Sequence, residues 1–518
     1  MKKLFTILFC LLFFIGNAST YYIRTDGNNA NTGTTNSSGG AWRTLVYACA
    51  HTTSGDIIHV VAGTFTEAGQ ATLPVGVSIE GDGVTSIIQA SFSTANTAIL
   101  VAASAEGTNG NQHISNCLWE GQLSTTWGIE IKGRSNFSIY NCTIQNFAQR
   151  GVMWSGRNDN SALPPSIYAT GNSFHDNIIT NCATYSGGTG YGCIMFGGQD
   201  GFLLYNSTLT QTGRASGTNG WPIKYANDGY LNGCKIYNNT VTKEPFDGTT
   251  FDFAFELFNV SGLEIYGNTI QGSIDLNYQP KGSYAYSVYI HDNVIGYSTV
   301  QTQIERGIVL EFDCETIWIK NNEFKNIYNP IYYSTRNLTQ ITNNEITGNL
   351  MYGIGVVAGS TGFGIRFISD GSANYTLSHF VVDHNTIVGN YYQGISLVDG
   401  ASISGVSITN NIIDDYAHSW LFADPASVIT TIDWKNNNFY NTGTWGTSPR
   451  YVTGTPSSET FSGNLNTNPS FTGKYVPTGA VATGATDGTA IGYTGGAVTS
   501  NGGFKIRGGG GRRFRFVK

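Results

Sequence analysis

One recurring pattern constrains this chain more than any other feature. A short polar tripeptide returns twelve times, from Ser115-Asn116-Cys117 and Tyr140-Asn141-Cys142 through Tyr237-Asn238-Asn239 to Lys435-Asn436-Asn437. Its third members are Cys117, Cys142, Asn177, Ser207, Asn239, Asn268, Asn293, Asn322, Asn344, Asn385, Asn411 and Asn437. Two residues after each stands an apolar side chain: Trp119, Ile144, Ile179, Leu209, Val241, Ile270, Ile295, Phe324, Ile346, Ile387, Ile413 and Phe439. Both features at one fixed offset describe a chain that comes back to the same place on every turn. Asn at the bend tolerates left-handed backbone angles and can bond to the Asn above and below, while the apolar residue stacks in a continuous core. Rungs are 22 residues (322 to 344) to 41 residues (344 to 385) apart. That variation suits a stacked solenoid whose coils carry loops of different length.

The composition agrees: 66 Gly, only 12% charged residues, and many β-branched and aromatic side chains point to an all-β chain. A length of 518 residues would otherwise suggest two or more domains, an inference that fails for a repeat. The net charge of −7 argues against a nucleic-acid partner and leaves an acidic substrate open, because local basic residues decide that. Lys2 and Lys3 precede an apolar run from Leu4 to Ile15 and then Gly16-Asn17-Ala18, the layout of a signal peptide removed after Ala18. That run is too short to span a bilayer, and no later stretch reads as a membrane helix, so an exported, extracellular or cell-surface protein with no membrane span is expected. Beyond Cys10 come seven cysteines, an odd number without a Cys-x-x-Cys pair. Most read as buried thiols of the repeat, not as metal ligands.

Tyr21-Tyr22-Ile23, Asp26-Gly27 and Trp42-Arg43-Thr44-Leu45 resemble the entry to bacterial proteins of the pectin-lyase-like right-handed parallel β-helix superfamily. Gly55-Asp56-Ile57-Ile58-His59-Val60, Ala62-Gly63-Thr64-Phe65 and the stretch from Leu73 to Gly81 extend the likeness. Asn468-Pro469-Ser470-Phe471 through Gly488-Thr489-Ala490-Ile491-Gly492 is similar to the family's closing segment. The resemblance implies a single right-handed parallel β-helix over 19–495, about a dozen coils, with a short helix at 41–50 capping the open end. A basic, acid-free Gly/Arg-rich tail follows at 496–518. The superfamily includes lyases, hydrolases, epimerases and non-enzymes, so the fold alone does not decide function.

Counting back from the ladder aligns one outward-facing column: Glu130, Met153, Met195, Lys224, Glu256, Asp275, Val309, Tyr332, Gly355 and Ser396. A neighbouring outward column runs Lys132, Ser155, Gly197, Ala226, Phe258, Asn277, Glu311, Ser334, Val357 and Val398. Lys224, Glu256, Asp275 and Glu311 thus fall on successive coils about 4.8 Å apart, beside the longest expected loops. Arg157, Lys281 and Arg306 lie on or beside those loops, and the aromatics Trp154 and Tyr225 are placed to stack on sugar rings. Stacked carboxylates repel unless one holds a proton or a cation lies between them, and calcium suits such oxygen ligands.

Two chemistries fit an acidic polysaccharide substrate. In β-elimination, Glu256, Asp275 and Asn277 hold calcium against a uronate carboxylate, Lys281 or Lys224 removes the C5 proton, and Arg306 steadies the enolate. Arg157, Trp154, Tyr225 and Glu311 bind the substrate. Asp275-x-Asn277 followed by Lys281 is loosely similar to the site of the alginate and chondroitin B lyase family, with Asn277 standing where that family has an acidic residue. In hydrolysis, Glu256 with Asp275, or Asp275 with Glu311, serve as acid and base. The pectin-hydrolase motifs are missing. The same charges also read as a solvated face on which Lys224 pairs with Glu256, which leaves a non-catalytic carbohydrate-binding or adhesive protein as the alternative. His175, His291 and His384 sit in the ladder turns, where packing is the expected role.

Overall fold

The computed structural model describes residues 18–493 except 160, 185–189, 213–219, 228, 246–251, 279–286, 300, 302–304, 313, 335–339, 355–361, 369–374, 398–399, 424–427, 443–449, 453–456 and 473. The expected signal peptide, apart from Ala18, and the basic tail lie outside these residues. Within them the strands of the main sheet pair in parallel with the equivalent strand of the next coil. Phe253–Phe258 pairs with Ser273–Tyr278, which pairs with Arg306–Phe312. Leu263–Tyr266 pairs likewise with Val288–His291 and then Ile317–Lys320. This is a parallel β-helix built of three-strand coils.

Each coil turns by dividing one job between two adjacent residues. The residue before the rung takes the left-handed conformation, with φ of 53° at Asn141, 55° at Asp176 and 57° at Asn410. The rung itself makes the hydrogen bonds. Asn268 N donates to Asn293 Oδ1, Asn293 N to Asn322 Oδ1, and Asn385 N to Asn411 Oδ1, each at 2.9 to 3.1 Å. The apolar residues stack behind it in register, Ile270 on Ile295, Ile295 on Phe324, and Ile387 on Ile413. One rung differs from the expectation. Asn322 N donates to Asn349 Oδ1 and Asn349 N to Asn385 Oδ1, so Asn349 is the rung and Met351 the core residue above Phe324. Asn344 instead accepts from Ile317 N on the preceding coil, at the start of the strand Ile317–Lys320. With Asn349 in place and the ladder continued to Asn464, the hydrogen-bonded rungs are 25 to 36 residues apart.

From Tyr140 to His291 the residue before the left-handed position builds a second stack outside the core. Tyr140, His175, Tyr205, Tyr237, Tyr266 and His291 lie face to face with centroids 4.6 to 5.2 Å apart. His175 and His291 are therefore packing residues, as expected. At the open end the helix α1 (Leu45–His51) buries Leu45, Ala48 and Cys49. Its first amides are satisfied from the sheet: Leu45 N and Val46 N donate to the Glu67 carboxylate at 2.7 and 3.1 Å, a favourable place for an anion. Beyond the last coil the chain returns along the flank of the stack, where Val481, Ala485 and Ile491 pack on the outward side of Ile412 and Gly492 N donates to Asn410 O.

Candidate functional site

Strand pairing brings residues far apart in sequence into one outward column. Glu130 lies beside Met153, then Met195, Lys224, Glu256, Asp275, Val309 and Tyr332 follow on consecutive coils. The next member is Arg366, paired with Tyr332 and with Ser396, where Gly355 was expected. The strand of that coil is Gly362–Ile368, so 34 residues separate Tyr332 from Arg366. Two residues along, Phe258, Asn277, Glu311 and Ser334 form the neighbouring column, with Ile368 instead of Val357 as its next member.

Lys224 is the centre of the face. Its ammonium touches the Glu256 carboxylate and lies 3.9 Å from the Trp221 ring centroid and 4.3 Å from that of Tyr225. Asp275 follows one coil further on. Both Lys224 and Asp275 are buried, 7% and 2% exposed. Burial pushes the Lys224 ammonium down to about 7, with Asp275 opposing the fall and the Arg150 guanidinium reinforcing it. The expected pair with Glu256 exists, but on a desolvated face, where an ion pair is worth more and a lone charge costs more. Trp221, Phe253, Val309 and Tyr332 form an apolar wall beside it, and the Arg306 guanidinium stacks 4.2 Å over Tyr332 at the far end of that wall.

A buried acidic pair adjoins Arg306. Asp252 accepts from Ser273 Oγ at 2.7 Å and from Tyr297 OH at 2.6 Å. Burial raises its carboxyl, against these bonds and the Arg306 charge. Glu305 is 1% exposed, and burial followed by repulsion from Asp252 pushes it up to about 8. Neither residue stands on the outward column.

The model of the family described as "Right handed beta helix region" matches residues 166–369 and 306–466, together more than half of the chain. The chain belongs to the right-handed β-helix family. This agrees with the resemblance to the pectin-lyase-like superfamily. No curated protein matches this β-helix. Among solved structures it is similar to the tailspike protein of E. coli bacteriophage HK620 in complex with pentasaccharide, at a TM-score of 0.56 and 12% identity, covering 79% of this chain and 75% of that one. A substituted form of that tailspike in complex with hexasaccharide is similar at a TM-score of 0.56 and 12% identity, covering 78% and 76%. At this identity the likeness establishes the fold.

Within this β-helix the expected site residues divide. Lys224, Glu256, Asp275 and Glu311 share one face, and Arg306 joins them through the aromatic wall. Asn277 is in register between Phe258 and Glu311, but its side chain and all of Lys281 lie outside the described residues. Trp154 is corrected: it is fully buried, edge-on to Phe174 and Phe202 in the core. Strand alternation requires this, since its neighbour Met153 is in the outward column. Trp154→Ala should therefore cost about 3–5 kcal/mol of stability, read as a lower denaturant midpoint, with ligand affinity unchanged once the variant is folded. Tyr225 is half-buried with one face covered by Phe258 at 3.9 Å. Arg157 lies two coils before Lys224 and is held by its own loop, through Asp159 at 2.6 and 2.8 Å and Pro164 O at 2.9 Å. At Glu256 the Lys224 ammonium occupies the compensating position, and among the described residues no three His, Cys, Asp or Glu side chains converge.

Proposed function

We propose that this β-helix binds an acidic, uronate-containing polysaccharide along the outward column and cleaves it by β-elimination. The observation that carries this reading is Lys224, a buried ammonium set between two aromatic rings and the carboxylates of two following coils. A lysine with its proton affinity lowered to about 7 is a competent general base near neutral pH. In the reaction its neutral amine takes the C5 proton of the uronate, that bond's electrons form the C4–C5 double bond, and the glycosidic oxygen leaves C4 with the C–O electron pair and takes a proton from water. Arg306, held over Tyr332, binds the uronate carboxylate and stabilises charge building on it. The expected calcium has no step in this scheme. Oligosaccharide is present in the similar tailspike complexes, which supports a glycan as the ligand.

A hydrolytic reading is favoured by one observation. Glu256 and Asp275 are register neighbours on consecutive coils, about 4.8 Å apart along the stack, near the carboxyl separation of retaining glycosidases. Incubation with alginate, pectate and glycosaminoglycans separates the possibilities. The expected result is new ultraviolet absorbance from unsaturated uronate ends, unchanged by a calcium chelator. Reducing ends without that absorbance would assign hydrolysis; binding with neither would make the face a non-catalytic receptor.

A further inference from the structure

Two cysteines bracket the chain between the strands Ile178–Thr180 and Tyr191–Gly197. Cys182 and Cys193 are both fully buried and eleven positions apart. Cys193 Sγ donates to the Cys182 carbonyl oxygen at 3.3 Å, and the two thiols also meet side chain to side chain. The Cys182 thiol donates to the Thr180 and Ile144 carbonyls at 3.5 and 3.9 Å, as the other thiols of the coils do to theirs. Cys117 and Cys142 are rungs of successive coils whose thiols donate to the Ser115 and Ile114 carbonyls. Cys234 donates to the Asn232 carbonyl, and Cys49 is a core residue of α1.

We propose that Cys182 and Cys193 form an intramolecular disulfide in the functional protein, a clasp joining the two strands at the edge of the candidate site. The oxidant is a low-molecular-weight disulfide such as glutathione disulfide. One cysteine loses its proton and attacks that disulfide, expelling one thiolate and leaving a mixed disulfide. The second cysteine then attacks the mixed disulfide and expels the other thiolate. Two S–H bonds are lost and one S–S bond forms, while the two electrons reduce the oxidant to two thiols. Burial keeps both sulfurs from the reagent in the closed coil, so the exchange takes place on the folding chain. The same burial then shields the finished bond from reductants.

The clasp bears on the candidate site through direct packing. Gly190, just before the second strand, lies so close to the Trp221 indole that a Cβ there would overlap the ring. Ala183, just after Cys182, is anchored by its amide to Phe147 O at 2.9 Å, and its carbonyl lies where a Cβ on Gly220 would fall. Both ends of the clasped segment thus hold the strand that carries Trp221 and Lys224. This inference holds whichever reaction the face performs.

The test folds the full chain in glutathione redox buffers, traps it with acid, alkylates without reductant and maps the peptides by mass spectrometry. In an oxidising buffer the peptides of Cys182 and Cys193 are expected as one linked species, with Cys49, Cys117, Cys142 and Cys234 alkylated. Protein folded in the reducing buffer should melt about 2–4 °C below protein folded in the oxidising one, whereas Cys193→Ser should melt at the lower temperature after folding in either buffer. Full alkylation of both cysteines in the oxidising buffer, or linkage of either to a different cysteine, overturns the clasp.

Discussion

Lys224→Ala is expected to lower turnover of a susceptible uronate polymer by about 10²–10⁴-fold, the usual contribution of a general base. The fold should survive, because Lys224 belongs to the outward column and not to the stacked core. Lys281→Ala is the matching control, and retained turnover in that variant assigns proton abstraction to Lys224. The pH dependence provides a second readout. The amine must be neutral to act, so kcat/KM should rise with pH and level off above the free enzyme's Lys224 value of about 7. Glu256 touches the ammonium and favours its charged form. Glu256→Gln should accordingly move the rising limb to lower pH, and a limb that stays in place or moves to higher pH would remove Lys224 from the base role. Lys224→Ala also leaves the half-buried Glu256 without its cation. Circular dichroism and melting temperature, measured on both variants, therefore separate lost chemistry from lost structure.

What the amino-acid sequence revealed, and what it hid, follows from how local each signal is. The alternation of inward and outward side chains has a period of two, and the polar turn recurs on every coil. Counting from Asn239 and Asn268 therefore places Glu256 and Asp275 side by side, as the strand register does. Thr342-Asn343-Asn344 copies the turn in residue type, whereas the true turn is Thr347-Gly348-Asn349. There glycine, with φ of 66°, takes the left-handed place that Asn321 and Asn410 hold on other coils. At Trp154 residue type and alternation disagree: an aromatic beside a loop suggests a sugar platform, but outward Met153 turns it inward. Asp252 and Glu305 were invisible for another reason. Their burial depends on contacts between coils, such as the bond from Tyr297, 45 residues further along the chain, and no periodicity announces such a contact.

The corrected rung makes a sharp thermodynamic prediction, because Asn344 and Asn349 are both fully buried yet differ in the bonds they make. Asn349 Oδ1 accepts from Asn322 N at 2.9 Å and from Asn322 Nδ2 at 3.1 Å. Its Nδ2 donates to Ile319 O and to Asn385 Oδ1, both at 2.9 Å. Truncation to alanine strands groups on the coils above and below, and each buried polar group left unsatisfied costs about 1–3 kcal/mol. Asn349→Ala should destabilise by roughly 3–5 kcal/mol, since the stranded groups share one network and their costs do not add in full. Asn344 accepts one strong bond, from Ile317 N at 2.9 Å, with a weak contact to Tyr333 OH at 3.4 Å. Asn344→Ala should therefore cost only about 1–2 kcal/mol. Stacked coils interact chiefly with their neighbours and can open in sections, so a single global midpoint would blur the difference. Native-state hydrogen exchange resolves it coil by coil. In Asn349→Ala the amides of Asn322 and its flanking residues should lose most of their protection, while those of Asn437 keep theirs. Equal losses from the two substitutions would mean that the hydrogen-bonded column is not the element that holds successive coils in register.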